Sequence, residues 1–244
     1  MRVLLLGFGP FPGAPSNPSA ALAQKLARRR RPLLANLERR AHVLATTYAA
    51  VDRDLPKLLA DKPDIVLVFG LAARRRHVCI EMRARNALSV LFPDAGGYRP
   101  RQSQIERGGP DALVGRAPFH RLLDALRADH VPAQLSRDAG RYLCNYAYWR
   151  ALAHAPDGRP LVQFVHIPGL ARDLLPRRRG VRRAPSLAQL VRAAERLLIA
   201  LAAASKQQRY RRRRTPCRSS NAAAGSRQPH LQSRPAAPRP QRSE

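Results

Sequence analysis

Short apolar segments alternate with amphipathic segments over residues 1–204, and this alternation limits the possible folds more than any other feature of the sequence. The apolar segments lie at 3–6, 41–47, 64–70, 78–82, 133–136 and 161–167. The helical patterns lie at 19–30, 52–59, 119–129, 143–153 and 187–204. Strands that are apolar throughout are buried on both faces, which is typical of a mostly parallel sheet. The sequence therefore predicts an α/β fold, in which residues 1–204 form a single three-layer domain with helices flanking a mostly parallel sheet.

The carboxyl ends of the predicted strands indicate where the chemistry lies. In open α/β sheets, ligands bind in the loops that follow these strand ends. The candidate positions are the segments 7–18 and 70–81, together with His166 at the end of its strand.

The composition changes near residue 205, where arginine, alanine and proline become dominant. Residues 205–244 contain many arginines against Glu244 alone, and Leu231 is the only branched aliphatic residue. Such a segment cannot bury enough apolar surface to offset the chain entropy lost on folding. We therefore predict a disordered Arg/Pro-rich tail over 205–244.

The whole chain is strongly basic, with 45 Lys and Arg against 16 Asp and Glu and a formal net charge of +29. One interpretation is nucleic-acid binding, in which a basic tail neutralises phosphates. The other is a solvated charged surface without a dedicated partner, because charge runs commonly face water. The tail predicts at most a weak, nonspecific nucleic-acid contact, since its only aromatic residue is Tyr210.

The cysteines and the apolar segments indicate the cellular setting. Cys79, Cys144 and Cys217 are too few for a disulfide framework, and their spacing is not that of a zinc site. The apolar run within residues 1–7 is shorter than the core of a secretory signal. Charged residues interrupt the most apolar later stretch, 187–204, so it is not a membrane span. We expect a soluble cytoplasmic protein.

Cys144 lies near the start of the predicted helix 143–153. Backbone N–H groups at the first turn of a helix, together with the helix dipole, stabilise a thiolate there. A nucleophilic cysteine is one interpretation of this position. The alternative is a small buried apolar side chain, which is the commoner role of a free cysteine.

His166 and Glu81 complete a second hypothesis built on Cys144. A histidine at the end of a buried strand is placed to act as a general base, and a nearby acid would orient it. Each residue also has a structural alternative. His166 can be a hydrogen-bonded residue at a strand end, and Glu81 can pair with Arg83 or with one of the arginines at 74–76.

Five short blocks occur in an order and at a spacing that resemble the pyroglutamyl peptidase I (pyrrolidone carboxylate peptidase) family of cysteine peptidases. The blocks are Gly7-Phe8-Gly9-Pro10-Phe11 with Asn17-Pro18-Ser19, then Gly70-Leu71-Ala72 with Ile80-Glu81 and Asn86, then Gly108-Gly109-Pro110, then Tyr142-Leu143-Cys144-Asn145, and finally Val165-His166-Ile167-Pro168. The resemblance extends from Met1 to about Ala204. It implies a peptidase that removes an N-terminal pyroglutamyl residue from a peptide.

The resemblance also implies the role of each site residue. Cys144 would be the nucleophile that forms a thioester acyl-enzyme, His166 the base and Glu81 the residue that orients it. The expected substrate-binding residues are Phe8, Phe11, Asn17, Leu71, Tyr142 and Leu143. Aromatic side chains would hold the uncharged lactam ring, although the two phenylalanines can instead anchor their loop in the core. The family implies no metal and no cofactor, a peptide as the partner, and a homo-oligomer as an allowed assembly.

Two positions depart from the family pattern. Leu91 stands where many members carry an arginine that is thought to act near the oxyanion, and Leu71 stands where a glutamine is common. The arginines at 74–76 also enlarge a loop that is usually rich in glycine. Three hypotheses therefore remain open: an active enzyme with altered substrate choice, a weak or silent homologue, and a basic nucleic-acid-binding protein on the same scaffold.

Overall fold

A computed structural model describes residues 1–11, 13–155, 157–170 and 184–214. The strands are β1 (Arg2–Phe8), β2 (Glu38–Leu44), β3 (Ile65–Leu71), β4 (Val78–Glu81), β5 (Arg83–Arg85), β6 (Ala112–Val114), β7 (Ala133–Ser136) and β8 (Leu161–Ile167). The helices are α1 (Pro18–Ala27), α2 (Tyr48–Ala60), α3 (Phe119–Arg127), α4 (Leu143–Ala153) and α5 (Leu187–Arg214), and residues Pro32–Leu34 form a 3₁₀ turn. The predicted bounds of β7, α4 and β8 agree with the structure.

The main sheet has six strands in the order β2-β1-β3-β8-β4-β7. All of its pairs are parallel except β4 with β8, which is antiparallel. The prediction of a mostly parallel sheet is therefore confirmed, and β7 lies at its edge as expected. The reversed direction of β4 was not predicted, because a short apolar run such as 78–82 contains no information on strand direction.

Helices cover both faces of this sheet. On one face, apolar side chains of α1, α3 and α5 pack against residues such as Leu5, Leu67 and Val165. On the other face, α2 and α4 pack against residues such as Leu6 and Phe164. The predicted three-layer α/β architecture is confirmed, since the strands contribute buried residues to two separate clusters.

A second, two-stranded sheet formed by β5 and β6 was not predicted. Both strands are short, and β5 reads Arg-Ala-Arg with only Ala84 fully buried. Such a segment lacks the apolar run that identified the other strands. The small sheet nevertheless contacts α4, and this contact contributes to the candidate site described below.

Helix α5 continues to Arg214, so the prediction of disorder is wrong for residues 205–214. Lysine, glutamine and arginine are good helix formers, and a helix that is already packed extends into such residues readily. Ser205 is buried, and Arg209 Nη1 donates to Asp64 Oδ1 at 3.0 Å. The rest of the predicted tail, including Cys217, lies outside the described residues. Among the described helices, none is both long and apolar enough to cross a membrane.

Candidate active site

Cys144 is the second residue of α4 and its side chain is partly exposed. Tyr142 is the N-cap residue, and its side chain makes no capping hydrogen bond. The first intrahelical bond runs from Tyr146 N to the Tyr142 carbonyl at 3.0 Å. The N–H groups of the first turn therefore have no acceptor within the helix, as at any helix start. A thiolate or an oxyanion placed here meets these N–H groups and the positive end of the helix dipole.

Asn145, the residue after Cys144, fixes the start of α4 against the small sheet. Its side-chain amide donates to the carbonyls of Arg85 at 2.8 Å and Ala87 at 3.0 Å, and its Oδ1 accepts from Arg85 N at 2.8 Å. Asn145 is fully buried. The amide therefore replaces a missing strand partner for β5, and the position of the Cys144 thiol depends on this contact.

His166 and Glu81 are brought together by the antiparallel pairing of β4 with β8. His166 lies opposite Cys79, whereas Glu81 lies opposite Phe164, two positions further into the sheet. His166 Nδ1 is 2.8 Å from Glu81 Oε1, and both side chains are buried. Glu81 therefore reaches the imidazole from within the sheet. The sequence had instead suggested a position among the loops at the strand ends.

Cys144 completes the arrangement, since it lines the same cavity as His166 and its sulfur raises the pKa of His166. Gly70 pairs with His166 in the sheet, and a Cβ atom at Gly70 would lie 2.9 Å from Cys144 Sγ and 2.6 Å from Phe164 Cζ. A side chain at position 70 would thus occupy the place of the sulfur. The glycine that ends the predicted strand 64–70 is explained by this close approach.

The electrostatics of Glu81 and His166 favour an ion pair. Burial by itself lowers the pKa of His166, but the sulfur of Cys144 and the carboxylate of Glu81 outweigh burial and raise the pKa from 6.5 to about 9. Burial likewise raises the pKa of Glu81, but His166, with Ser136 and Arg75, lowers it overall. The carboxylate is therefore ionised and the imidazole holds a proton at neutral pH.

This arrangement predicts how His166 titrates. In the protein with Cys144 intact, the imidazole of His166 should lose its proton near pH 9; in Cys144→Ala it should lose it at a lower pH, because the interaction with the sulfur, which raises the pKa of His166, is removed. NMR titration of ¹⁵N-histidine-labelled protein measures both values. The same titration midpoint in both proteins would contradict the Cys144–His166 interaction.

Arg75 is a site residue that sequence reasoning did not assign. Its Nη1 donates to Glu81 Oε1 at 2.7 Å, and its Nη2 donates to the Asp138 carbonyl at 2.7 Å. The sequence left open whether Glu81 pairs with His166 or with an arginine, and in the structure one carboxylate oxygen accepts from both. Arg75 thereby connects Glu81 to the loop that precedes Cys144. Only the loop-to-sheet contact reveals this, because three adjacent arginines look equivalent in the sequence.

A cavity of about 180 Å³ opens beside Cys144 and His166. All of the expected substrate-binding residues line it: Phe8, Phe11, Asn17, Leu71, Tyr142 and Leu143. Thr46, Ala139 and Gly140 also line it and were not predicted. Within the described part of the chain, no group of three or more His, Cys, Asp or Glu side chains is arranged to hold a metal ion.

The loop after β1 forms one wall of the cavity and is held by side-chain hydrogen bonds. Asn17 Nδ2 and Thr46 Oγ1 each donate to the Gly9 carbonyl at 3.0 Å. Asn17 also caps α1, because its Oδ1 accepts from Ser19 N at 3.1 Å. Phe8 is almost fully buried and packs against Phe164, whereas Phe11 remains partly exposed. Phe8 therefore both anchors the loop and forms part of the cavity wall.

Comparison with known proteins shows the family of the chain. The family model described as pyroglutamyl peptidase matches residues 1–207. The chain belongs to the pyroglutamyl peptidase family. This is a family of cysteine-type exopeptidases, so the resemblance noted in the sequence is confirmed.

Relatives and solved structures of the pyroglutamyl peptidase family cover most of the chain. The pyrrolidone-carboxylate peptidase of Thermococcus onnurineus is 34% identical over 69% of this chain and 84% of its own. That of Clavibacter michiganensis is 33% identical over 81% and 92%. The pyrrolidone carboxyl peptidase structure from Thermococcus litoralis is 29% identical, with a TM-score of 0.75 over 84% of this chain and 96% of that one. Pyroglutamyl peptidase I from Bacillus amyloliquefaciens is 26% identical, with a TM-score of 0.72 over 84% and 98%.

Proposed function

We propose that this protein removes the N-terminal pyroglutamyl residue from peptides, with Cys144 as nucleophile, His166 as general base and Glu81 as the residue that orients His166. Family membership supports the reaction class. The observation that carries the residue assignment is the placement of Cys144 and His166 in one small cavity, with His166 hydrogen-bonded to Glu81. Nucleophile, base and orienting acid in such a series are the parts that covalent catalysis requires.

The cavity suits a pyroglutamyl ring because of its size and its lining. Phe8, Phe11 and Tyr142 offer aromatic surface to the ring, and Leu71 and Leu143 offer aliphatic surface. Apart from the proposed reacting groups Cys144 and His166, none of the described lining residues carries a charge. A free amino terminus would be an ammonium group and would lose its hydration here without an acid to pair with. The uncharged lactam does not incur that cost, so the cavity favours it over an ordinary N-terminal residue.

The proposed reaction proceeds through a thioester. The Cys144 sulfur attacks the pyroglutamyl carbonyl carbon while its proton resides on His166, and first-turn N–H groups of α4 stabilise the oxyanion. When the C–N bond breaks, His166 transfers the proton to the leaving amine. Water, deprotonated by His166, then attacks the thioester, and the proton returns to the sulfur as pyroglutamate leaves.

The proposed substrate class is tested by turnover of three amide reporters. We expect release of the amine from pyroglutamyl-amide and none from prolyl-amide or alanyl-amide, because only the first presents an uncharged ring with lactam N–H and C=O groups. Fluorescence of the released amine measures kcat/KM for each reporter. Folded protein that cleaves none of the three would support the silent-homologue hypothesis. Cleavage of alanyl-amide at a comparable rate would contradict the assigned specificity.

A further inference from the structure

Three consecutive apolar side chains are exposed in the loop that follows β5. Val90 is 43% exposed, Leu91 72% and Phe92 64%. Single exposed apolar residues are ordinary, but a contiguous group commonly marks a surface that binds something. We call these three residues the apolar bulge.

Two hydrogen bonds join the ends of the apolar bulge to the residues directly before Cys144. Ser89 N donates to the Arg141 carbonyl at 2.6 Å, and the Tyr142 hydroxyl donates to the Pro93 carbonyl at 2.8 Å. Tyr142 is itself a wall of the cavity beside Cys144. The apolar bulge is therefore fixed at the rim of the candidate active site, on the side of Tyr142.

The cavity is large enough for a single ring-sized residue, and the rest of a peptide substrate has to leave across its rim. A cavity of about 180 Å³ is smaller than the range of roughly 300–1,000 Å³ that is usual for a whole small-molecule ligand. The residue that follows pyroglutamate is therefore outside the cavity when the scissile bond is at Cys144. The apolar bulge is an apolar surface fixed to that rim by the bonds of Ser89 and Pro93 to residues 141 and 142.

We propose that Val90, Leu91 and Phe92 bind the side chain of the residue that follows pyroglutamate, and that the enzyme consequently prefers peptides with an apolar residue there. This inference rests on the proposed function. Burial of a substrate side chain against the bulge removes apolar surface from water on both partners. A second copy of the chain is a poorer occupant, because three side chains supply far less than the roughly 800 Å² per partner of a stable interface.

The test compares peptides that differ only in the polarity of that residue. Pyroglutamyl-Leu-Gly and pyroglutamyl-Asn-Gly have side chains of similar shape, as do the corresponding Val and Thr peptides. We expect kcat/KM to be about tenfold higher for the Leu peptide than for the Asn peptide, as for partial burial of one leucine side chain. In Leu91→Ser/Phe92→Ser the ratio should fall to about twofold or less, whereas Leu91→Asp should shift the preference towards pyroglutamyl-Lys-Gly.

Ratios of kcat/KM within one preparation are independent of the fraction of folded enzyme, so partial misfolding of a variant does not affect the result. Leu33→Ser is the matched control, since Leu33 is 75% exposed on the 3₁₀ turn at 32–34, and the ratio should stay at the wild-type value. Equal turnover of the Leu and Asn peptides by the wild type would overturn this inference alone. No turnover of any pyroglutamyl peptide would reject the proposed function with it. An unchanged ratio in both bulge variants, combined with a change in oligomeric state, would assign the bulge to self-association and overturn the proposal.

Discussion

Replacement of Cys144 by alanine should abolish hydrolysis of a pyroglutamyl-amide reporter. Loss of a nucleophile from a catalytic group of this kind typically lowers kcat by about 10⁴-fold to 10⁶-fold. The sulfur is the only described thiol that lines the cavity, and His166 lines the same cavity. Amine release measured with purified variant and wild type gives the comparison, and iodoacetamide should inactivate the wild type. Full activity of Cys144→Ala would reject the proposed mechanism.

Cys79 provides the matched control for this experiment. It lies on β4 opposite His166, but its side chain is buried, and burial raises the pKa of its thiol. The Cys79→Ala variant should therefore still be inactivated by iodoacetamide at the rate of the wild type. If Cys79→Ala resisted inactivation by iodoacetamide, the reactive thiol would be that of Cys79 and not that of Cys144.

The positions of Cys144 and His166 were predictable because each depends on a local pattern. Leu161–Ile167 is apolar throughout apart from Gln163 and His166, so its bounds and the location of His166 at its end follow from the sequence. Gly140 precedes the helical pattern that begins at Leu143, which places Cys144 in the first helical turn. The segment that ends at Gly70 was also predicted as a strand. In each case, residues within a few positions of one another determine the structure.

The contacts that were not predicted involve distant segments of the chain. Arg75 meets the carbonyl of Asp138, and Asn145 meets the backbone of Arg85, across loops that the sequence does not place side by side. Glu81 approaches His166 from within the sheet because β4 runs antiparallel to β8. The direction of β4 depends on this strand pairing and cannot be deduced from the composition of the segment. Helix α5 extends through 205–214, and there Arg209 donates to Asp64, a tertiary contact that the composition does not reveal. Local patterns predicted the positions of Cys144 and His166, whereas the contacts that hold them in place are non-local.

Glu81→Gln should lower kcat of pyroglutamyl-amide hydrolysis by roughly 10²-fold to 10⁴-fold, as for neutralisation of the acid in a related triad. The amide can still accept a hydrogen bond from His166 Nδ1 but carries no negative charge to stabilise the imidazolium. Glu81 is fully buried, so its charge acts on His166 with little screening by water. We therefore expect a loss in kcat with a smaller change in KM, since Glu81 does not line the cavity. NMR titration should show His166 losing its proton below pH 9 in this variant.

Arg75→Met distinguishes the two partners of Glu81, because it removes the 2.7 Å contact of the guanidinium with Glu81 Oε1 and leaves the carboxylate and its 2.8 Å contact with His166 in place. Arg75 is partly exposed, so its charge is more screened than that of Glu81. The loss of the cation should raise the pKa of Glu81 and lower kcat by about tenfold, well short of the effect of Glu81→Gln. Arg75→Lys, which keeps the charge but cannot span Glu81 and the Asp138 carbonyl with one planar group, should have a kcat between those of the wild type and Arg75→Met. Arg75→Met could instead lower kcat as much as Glu81→Gln does, without a change in thermal unfolding. The ion pair with Arg75 would then be the functional contact of Glu81, and the assigned role of Glu81 in orienting His166 would be wrong.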